Sequence, residues 1–416
     1  MHDILPEDQK YYLKIYETAS KIASFYGFEK IDTPLVESED LFTKGVGTST
    51  DIVQKQMYTF KTKGGDQLAL RPEWTAPIAR SYIQNGMNSW PQPVKLWYFG
   101  PCYRYERPQA GRYRQFWQFG MEVFGEQSPV IDAHVIQIFT NILKELGLKD
   151  LMVQVNSIGD SQCRPYYKKL LSNYLRSKDS SMCPDCKKRA KENVLRVLDC
   201  KEEKCQQVKA ECPQVLDHLC EECHKHFKEV LEFLDEAEVP YSLNPCLVRG
   251  LDYYTKTVFE VFYCSAESGV DGLALGGGGR YDKLVKLLGG KDTPASGAAL
   301  GVERIAELMK LNNINVEEKN SKQVFLAQLG DLAKKKSFRL LEEFRTAGIM
   351  VAESFGRDSL KAQLNRADKI GAKYALILGQ KEALEGVMIA RDMQTGKQEI
   401  IKLENAVKEI KLKLRK

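Results

Sequence analysis

Two blocks of strand-like alternation, separated by a helical cysteine-rich stretch, predict an α+β domain with a mainly antiparallel sheet that carries an insertion. A separate small α/β domain follows it. Three observations carry this. Aromatic runs alternating with period 2 lead through Lys95–Val123; the pattern gives way near Arg164 to charged helical sequence and returns at Tyr241; and beyond a polar stretch, Asn312 to Lys322, short apolar strands alternate with helices. The expected boundaries are 1–165 for the first part of the core, 166–237 for the insertion and 238–312 for the second part of the core. Residues 313–322 form a linker, and 323–416 the α/β domain.

The elements follow in order. Tyr12, Ile15, Ala19, Ile22 and Phe25 recur at helical spacing and stop at Gly27, so a helix is expected from about Glu7 to Tyr26. Phe28–Glu37 reads as a strand, and Pro34, which has no N–H for a ladder, places it at an edge or an interface. Leu68–Arg71 is a further strand. Lys95–Glu106 and a return run to Val123 form a hairpin, and a helix near Ala133–Leu146 follows. After the insertion come Tyr241, Thr257–Tyr263 and a strand ending in Leu275–Asp282, then Ala298–Ile305, a small-residue strand turning into a helix. Val324–Leu329, Gly348–Ala352, Tyr374–Leu378 and Val387–Ala390 are strands of the last domain, with helices at about Leu332–Thr346 and Ser359–Ile370.

Bulk composition excludes several classes. A hydrophobic fraction of 43% and a charged fraction of 28% belong to a globular chain rather than a disordered one. No apolar run approaches the roughly 20 residues that span a bilayer. The start lacks a signal-peptide pattern, so the cytoplasm is the expected address. A net charge of +5 fits a nucleic-acid partner and a merely solubilising surface equally. There is no Gly-x-Ser-x-Gly and no dinucleotide fingerprint.

Arg104–Glu122 is the most informative stretch. Alternation puts Arg104 and Glu106 on one face of the incoming strand. On the return strand Trp117, Phe119, Met121 and Val123 share an apolar face, and Gln118, Gly120 and Glu122 a polar one. Gly120 reads as a gap that leaves room for a ligand. Arg107, Arg112 and Arg114 in the loop make an anion, above all phosphate, the expected guest. Arg304 near a helix start strengthens this, because helix N-termini favour phosphates. In Arg249-Gly-Leu-Asp-Tyr-Tyr254 the glycine allows close approach to a ligand, and Tyr253 and Tyr254 point to opposite sides if the segment is extended. Gly276–Gly279 is not a P-loop; it reads as space for a substrate beside the backbone, or as a plain turn. Glu73 and Thr75 suit an ammonium group, and a helix N-cap by Thr75 explains the same residues equally.

Together these motifs resemble those of the histidyl-tRNA synthetases, a family of class II aminoacyl-tRNA synthetases, over nearly the whole chain. The first helix and the Pro34 strand are similar to the family's dimer-interface motif. Arg104–Glu122 and Gly301-Val-Glu-Arg304 resemble its second and third motifs. Arg249–Tyr254 resembles a signature of the histidine enzymes, and the last domain, with Ser359–Leu364 and Gly371–Gly379, resembles their anticodon-binding domain. The resemblance implies a class II antiparallel sheet flanked by helices, and ATP-dependent ligation of L-histidine to tRNA(His) through a histidyl-adenylate. It also implies that ATP enters with Mg2+ and that the chain is a homodimer. It further implies that Arg104 and Arg249 hold the α-phosphate, with Arg249 doing what a metal ion does in relatives. Arg112 and Arg304 would bind the polyphosphate, and Glu106 would lie near the adenine. Glu122 and Tyr254 would meet the imidazole, while Glu73, Thr75 and Gln118 take the amino and carboxylate groups beside Tyr253. Trp74 stands where relatives carry a smaller or aliphatic residue in the loop over the amino acid. Arg107 and Gln109 are candidates for the acceptor stem. The rival reading is a regulatory paralogue of histidine biosynthesis that binds histidine without charging tRNA. Such relatives lack the anticodon domain that this chain keeps.

Eleven cysteines include seven between Cys183 and Cys223. The two C-x2-C pairs, Cys183/Cys186 and Cys220/Cys223, suggest one four-thiolate structural Zn2+ site; reduced thiols in a helical insertion are the alternative.

Overall fold

The computed structural model describes residues 3–107, 111–265, 270–316, 323–356 and 359–414. Two compact units meet in sequence at Val316/Glu317. Gln109 lies outside the described residues. Among those described, no helix is long and apolar enough to cross a membrane.

In the first unit, a helix from Pro6 to Phe25 leads into β1 (Glu29–Lys30). A small antiparallel sheet then forms from β2 (Val36–Ser38), β3 (Thr59–Lys61) and β4 (Gln67–Leu70). The long hairpin is β5 (Val94–Tyr103) and β6 (Gln115–Phe124), followed by a helix over Val130–Glu145 and β7 (Leu151–Ser157). After the cysteine-rich helices come β8 (Tyr241–Leu243), β9 (Thr255–Ser265), β10 (Val270–Arg280) and β11 (Ala295–Gly301). The eight-stranded sheet runs β1-β5-β6-β11-β10-β9-β7-β8. It is antiparallel except at its two ends, where β1 joins β5 and β8 joins β7 in parallel.

The expected Phe28–Glu37 strand is broken in two. Its halves belong to different sheets, and Pro34 lies in the break, where Arg71 Nη1 donates to the Thr33 carbonyl at 2.7 Å. Without an N–H at Pro34 no ladder can run through.

Register fixes the two faces of the sheet. Phe119, Met121 and Val123 are buried on one side with Ala298, Leu300, Phe259 and Val153, against Ile136, Phe139 and Leu143 of the Val130–Glu145 helix. Each such large side chain removed from water stabilises by roughly 1.5–3 kcal/mol. On the opposite face Gly120 pairs with Tyr98 and Ala299, and Ala299 with Gly277, which pairs with Glu260. That face is floored by small residues.

The second unit has its own core around Val324, Leu326, Leu376 and Leu378. Strands β12 (Val324–Gln328), β13 (Val351–Glu353), β14 (Tyr374–Leu378), β15 (Val387–Asp392) and β16 (Gln398–Lys402) lie in the order β13-β12-β14-β15-β16. β12 is parallel to both neighbours, and the last two strands return antiparallel. β16 was not foreseen; its Gln-Glu-Ile-Ile-Lys buries only Ile401, too little apolar alternation to stand out.

Candidate active site

Strand β5 ends at Tyr103, and Glu106 N turns back to the Arg104 carbonyl at 2.9 Å, so alternation does not extend to these residues. Arg104 instead anchors through Nε to the Pro72 carbonyl at 2.9 Å, its guanidinium 5.1 Å from the Phe116 ring centroid. Phe116 pairs with Cys102 on the small-residue face. Arg249 lies over the same face: an added Cβ on Gly277 would meet its Nη1 at 3.0 Å. Arg249 Nη1 pairs with Glu260 at 2.9 Å, and its buried Nε has no partner among the described residues. Glu260 and nearby tyrosines hold the Arg249 guanidinium firmly charged against the opposing effect of burial.

Arg304 is the third residue of the Val302–Leu311 helix. Its Nε donates to the Gly111 carbonyl at 3.1 Å, and Nη1 to the Ala274 carbonyl, which ties the hairpin loop to β10. Burial first, and then the nearby positive charge of Arg112, hold its pKa below the usual arginine value; Glu260 and Glu106 oppose this. Arg112 reaches Glu106 at 4.0 Å. Arg114 donates to the Glu106 carbonyl at 3.3 Å and stacks on Tyr105. Arg104 and Arg249 thus stand above one face of the sheet, and Arg304 is held between the hairpin loop and β10.

At the floor is Glu122, with no exposed surface. Thr75 Oγ1 donates to its Oε1 at 2.8 Å and the Tyr98 hydroxyl at 3.3 Å; the Tyr281 hydroxyl donates to Oε2. Burial pushes its pKa up to about 8, against the pull of those hydroxyls. Tyr281 is the residue missed by sequence reasoning, since its contact spans 159 positions. The only signal was an aromatic following the glycine run.

Several expectations need correction. The space over Gly120 is taken by Tyr98, whose ring would collide with any added Cβ, so the glycine admits a tyrosine rather than a ligand. Thr75 is not an N-cap. Glu73 accepts the N–H groups of Thr75 and Ala76 at 2.7 and 2.9 Å and starts the helix itself, while Thr75 turns to Glu122. Burial raises the Glu73 pKa, opposed by these hydrogen bonds. Tyr253 and Tyr254 do not diverge; the segment turns, and their rings stand 4.7 Å apart beside Tyr281. Tyr253 approaches Glu73 at 3.4 Å. Trp74 is buried between the Arg71 guanidinium, 3.3 Å above its ring, and Tyr98, stacked at 4.7 Å, so it backs the site. Gln118 accepts from the Cys102 thiol at 3.3 Å. Gly276–Gly279 lies inside β10 and is no flexible turn.

The two C-x2-C pairs do not meet in one site. Cys183 and Cys186 gather with Cys200 and Cys205, whereas Cys220 and Cys223 gather with Asp160 and Cys163. The reason is packing. The Glu221–Glu236 helix buries Phe227, Val230 and Leu234 in the sheet-side core, with His226 on Asp132 at 2.8 Å, and carries its cysteines there. Cys183 and Cys186 belong to a separate core with Tyr167 and Leu171. Both clusters have a composition that can bind metal.

An antiparallel sheet with arginines above a small-residue face, followed by a separate α/β unit, is the arrangement expected of class II aminoacyl-tRNA synthetases. The family description "Histidyl-tRNA synthetase" matches residues 1–305, and "Anticodon binding domain" matches residues 323–413. Histidine–tRNA ligase of Dehalococcoides mccartyi is 44% identical over 411 residues, 98% of this chain and 97% of that one. That of Desulfitobacterium hafniense is 45% identical, covering 97% and 94%. Apo histidyl-tRNA synthetase from S. aureus superposes with a TM-score of 0.82 at 34% identity, covering 98% and 97%. The chain belongs to the histidyl-tRNA synthetase family.

Proposed function

We infer that this chain ligates L-histidine to tRNA(His) in two steps, with ATP as the energy source. The observation that carries this reading is the buried Glu122, ringed by hydroxyls, on the same face of the sheet as Glu260, which pairs with Arg249. Histidine's carboxylate attacks the α-phosphate of ATP, pyrophosphate leaves, and the histidyl group passes to tRNA. Charge builds on non-bridging phosphate oxygens, so the protein's work is positioning and electrostatics. Arg104 and Arg249 are the residues proposed for the α-phosphate; Arg249 Nε, buried and without a partner among the described residues, supports this as a donor awaiting an acceptor. Arg112 and Arg304, fixed to the hairpin loop, would hold the polyphosphate with Glu106 near the adenine. Mg2+ would arrive with the nucleotide: Glu106 and Glu260 border the arginines, and phosphate oxygens and water would complete its shell, as this ion prefers.

Glu122 and Tyr254 would take the two imidazole nitrogens, and Glu73, Thr75, Gln118 and Tyr253 the amino-acid head, with Trp74 supporting the floor. A buried polar floor rejects analogues that leave its groups unpaired, so discrimination needs no editing step. Homodimerisation and a cytoplasmic location complete the proposal.

The test is transfer of labelled histidine to tRNA(His). Charging that depends on ATP is expected. Tight histidine binding with no charging would instead point to a regulatory paralogue.

A further inference from the structure

Four thiols meet in the insertion: Cys183, Cys186, Cys200 and Cys205 are all buried, and their sulfurs lie within 4.8 Å of one another. The Cys183 and Cys200 sulfurs are 3.9 Å apart, and none of the four is in a disulfide. A tetrahedral tetrathiolate with Zn–S near 2.3 Å requires sulfurs separated by about 3.8 Å. The backbone supports the same arrangement. Cys183 opens the Pro184–Glu192 helix and its sulfur accepts the Cys186 N–H at 3.4 Å, while the Cys205 sulfur accepts the Cys183 N–H at 3.3 Å. Such donors stabilise thiolate charge without competing for the lone pairs that bind metal. The spacing is two short pairs, C-x2-C and C-x4-C, each within the range of structural zinc sites.

The surroundings need a staple. Between Asp179 and His218 the chain has only helices of three to nine residues, one of them the Pro184–Glu192 helix with three lysines and an arginine. The thiols lie in the middle of this small core, with Tyr167, Leu171, Val197 and Val208. A core of this size gains little from burial alone.

The segment between Cys186 and Cys200 also reaches the catalytic body. Arg189 and Arg196 pair with Asp51, each at 3.2 Å. Asn193 donates to Asp252 at 2.9 Å and to Ser49 at 3.0 Å, and Arg196 Nη1 donates to the Arg249 carbonyl at 3.3 Å. One strut therefore runs from the cysteine cluster to the loop bearing Arg249.

We propose that Cys183, Cys186, Cys200 and Cys205 hold a structural Zn2+ ion whose closed S4 site braces the Arg249 loop through Arg196 and Asn193. Zinc binding displaces the thiol protons and leaves no open position, so the ion takes no part in the reaction.

The experiment measures zinc in the purified full-length chain by plasma mass spectrometry after dialysis, alongside Cys205→Ser and Cys220→Ser. Bound zinc is expected in the wild type, with one equivalent lost in Cys205→Ser and that equivalent kept in Cys220→Ser. A wild type free of zinc, or a Cys205→Ser chain with the full wild-type content, overturns the proposal. Should Cys205→Ser fail to fold, cobalt exchanged into Cys220→Ser decides instead. The intense sulfur-to-cobalt bands of a tetrahedral S4 site are expected, and their absence overturns it. Chelation of the wild type should lower the rate of histidine-dependent ATP–pyrophosphate exchange several-fold, with recovery on adding Zn2+. That last effect rests on the role proposed for Arg249, whereas the zinc content does not, so the two failures are distinguishable. An exchange rate indifferent to chelation, with zinc shown to have left, removes the bracing role.

Discussion

A carboxyl group with no solvent contact must be neutral or surrounded by donors, and Glu122 has a pKa of about 8 even with three hydroxyls aimed at it. Glu122 therefore keeps its proton to a higher pH than a free carboxyl does. The consequence for stability has a definite sign. Between the ordinary value of 4.5 and the folded value of about 8, the native state keeps a proton that the unfolded chain has released. Stability falls as pH rises through that window. Glu122→Gln lacks this titration. From below 4.5 to above 8, its urea-unfolding midpoint should improve relative to wild type; a midpoint difference independent of pH would show that Glu122 does not titrate there. Arg249 makes the second case at this scale. Its Nη1 serves Glu260 while Nε has no partner among the described residues, a division of labour that needs a planar fork. Arg249→Lys should cost on the order of 10²-fold or more in adenylate formation while histidine binding, followed by calorimetry, partly survives. Near-normal turnover would remove Arg249 from its proposed place.

Strands and helices position these groups by exclusion of volume as much as by contact. A methyl on Gly120 would land on the Tyr98 ring and push its hydroxyl off Glu122. Gly120→Ala should destabilise the unit by about 1–3 kcal/mol in denaturant unfolding. It should also raise the KM for histidine more than that for ATP; an equal rise in both would mean that Tyr98 does not shape the amino-acid pocket. The two faces of β6 were legible, because alternation forces Phe119 and Met121 to one side and Gly120 and Glu122 to the other. The Pro6–Phe25 and Val130–Glu145 helices were legible from spacing within a residue or a few. What filled the gap at Gly120 was not, since Tyr98 lies on the neighbouring strand and alternation is silent about how far a ring leans. Nor was the turn that brings Tyr253 and Tyr254 together, which an extended reading separated. The Glu73 cap escaped for a related reason: carboxylate and hydroxyl near a helix start are interchangeable in sequence, and only coordinates show which one faces the N–H groups.

At the scale of the molecule, the parts illegible in sequence were those that depend on long-range assembly. Cysteine spacing revealed short pairs but not their partners, because the Glu221–Glu236 helix follows its apolar face into the sheet-side core and takes Cys220 and Cys223 with it. The division at Val316/Glu317 gives each unit a core of its own. Residues 1–316 alone should therefore fold and retain histidine-dependent pyrophosphate exchange. Their charging of tRNA(His) should slow about tenfold for every 1.4 kcal/mol of tRNA-binding free energy that the C-terminal unit supplies. Equal charging by the truncated and full chains would deny the C-terminal unit a part in tRNA binding. The central claim is that the arginines and the buried floor together activate one amino acid. ATP–pyrophosphate exchange, run with each amino acid separately on the full chain, tests it most directly. Exchange with histidine alone is predicted; exchange driven by another amino acid, or none from folded protein, would contradict it.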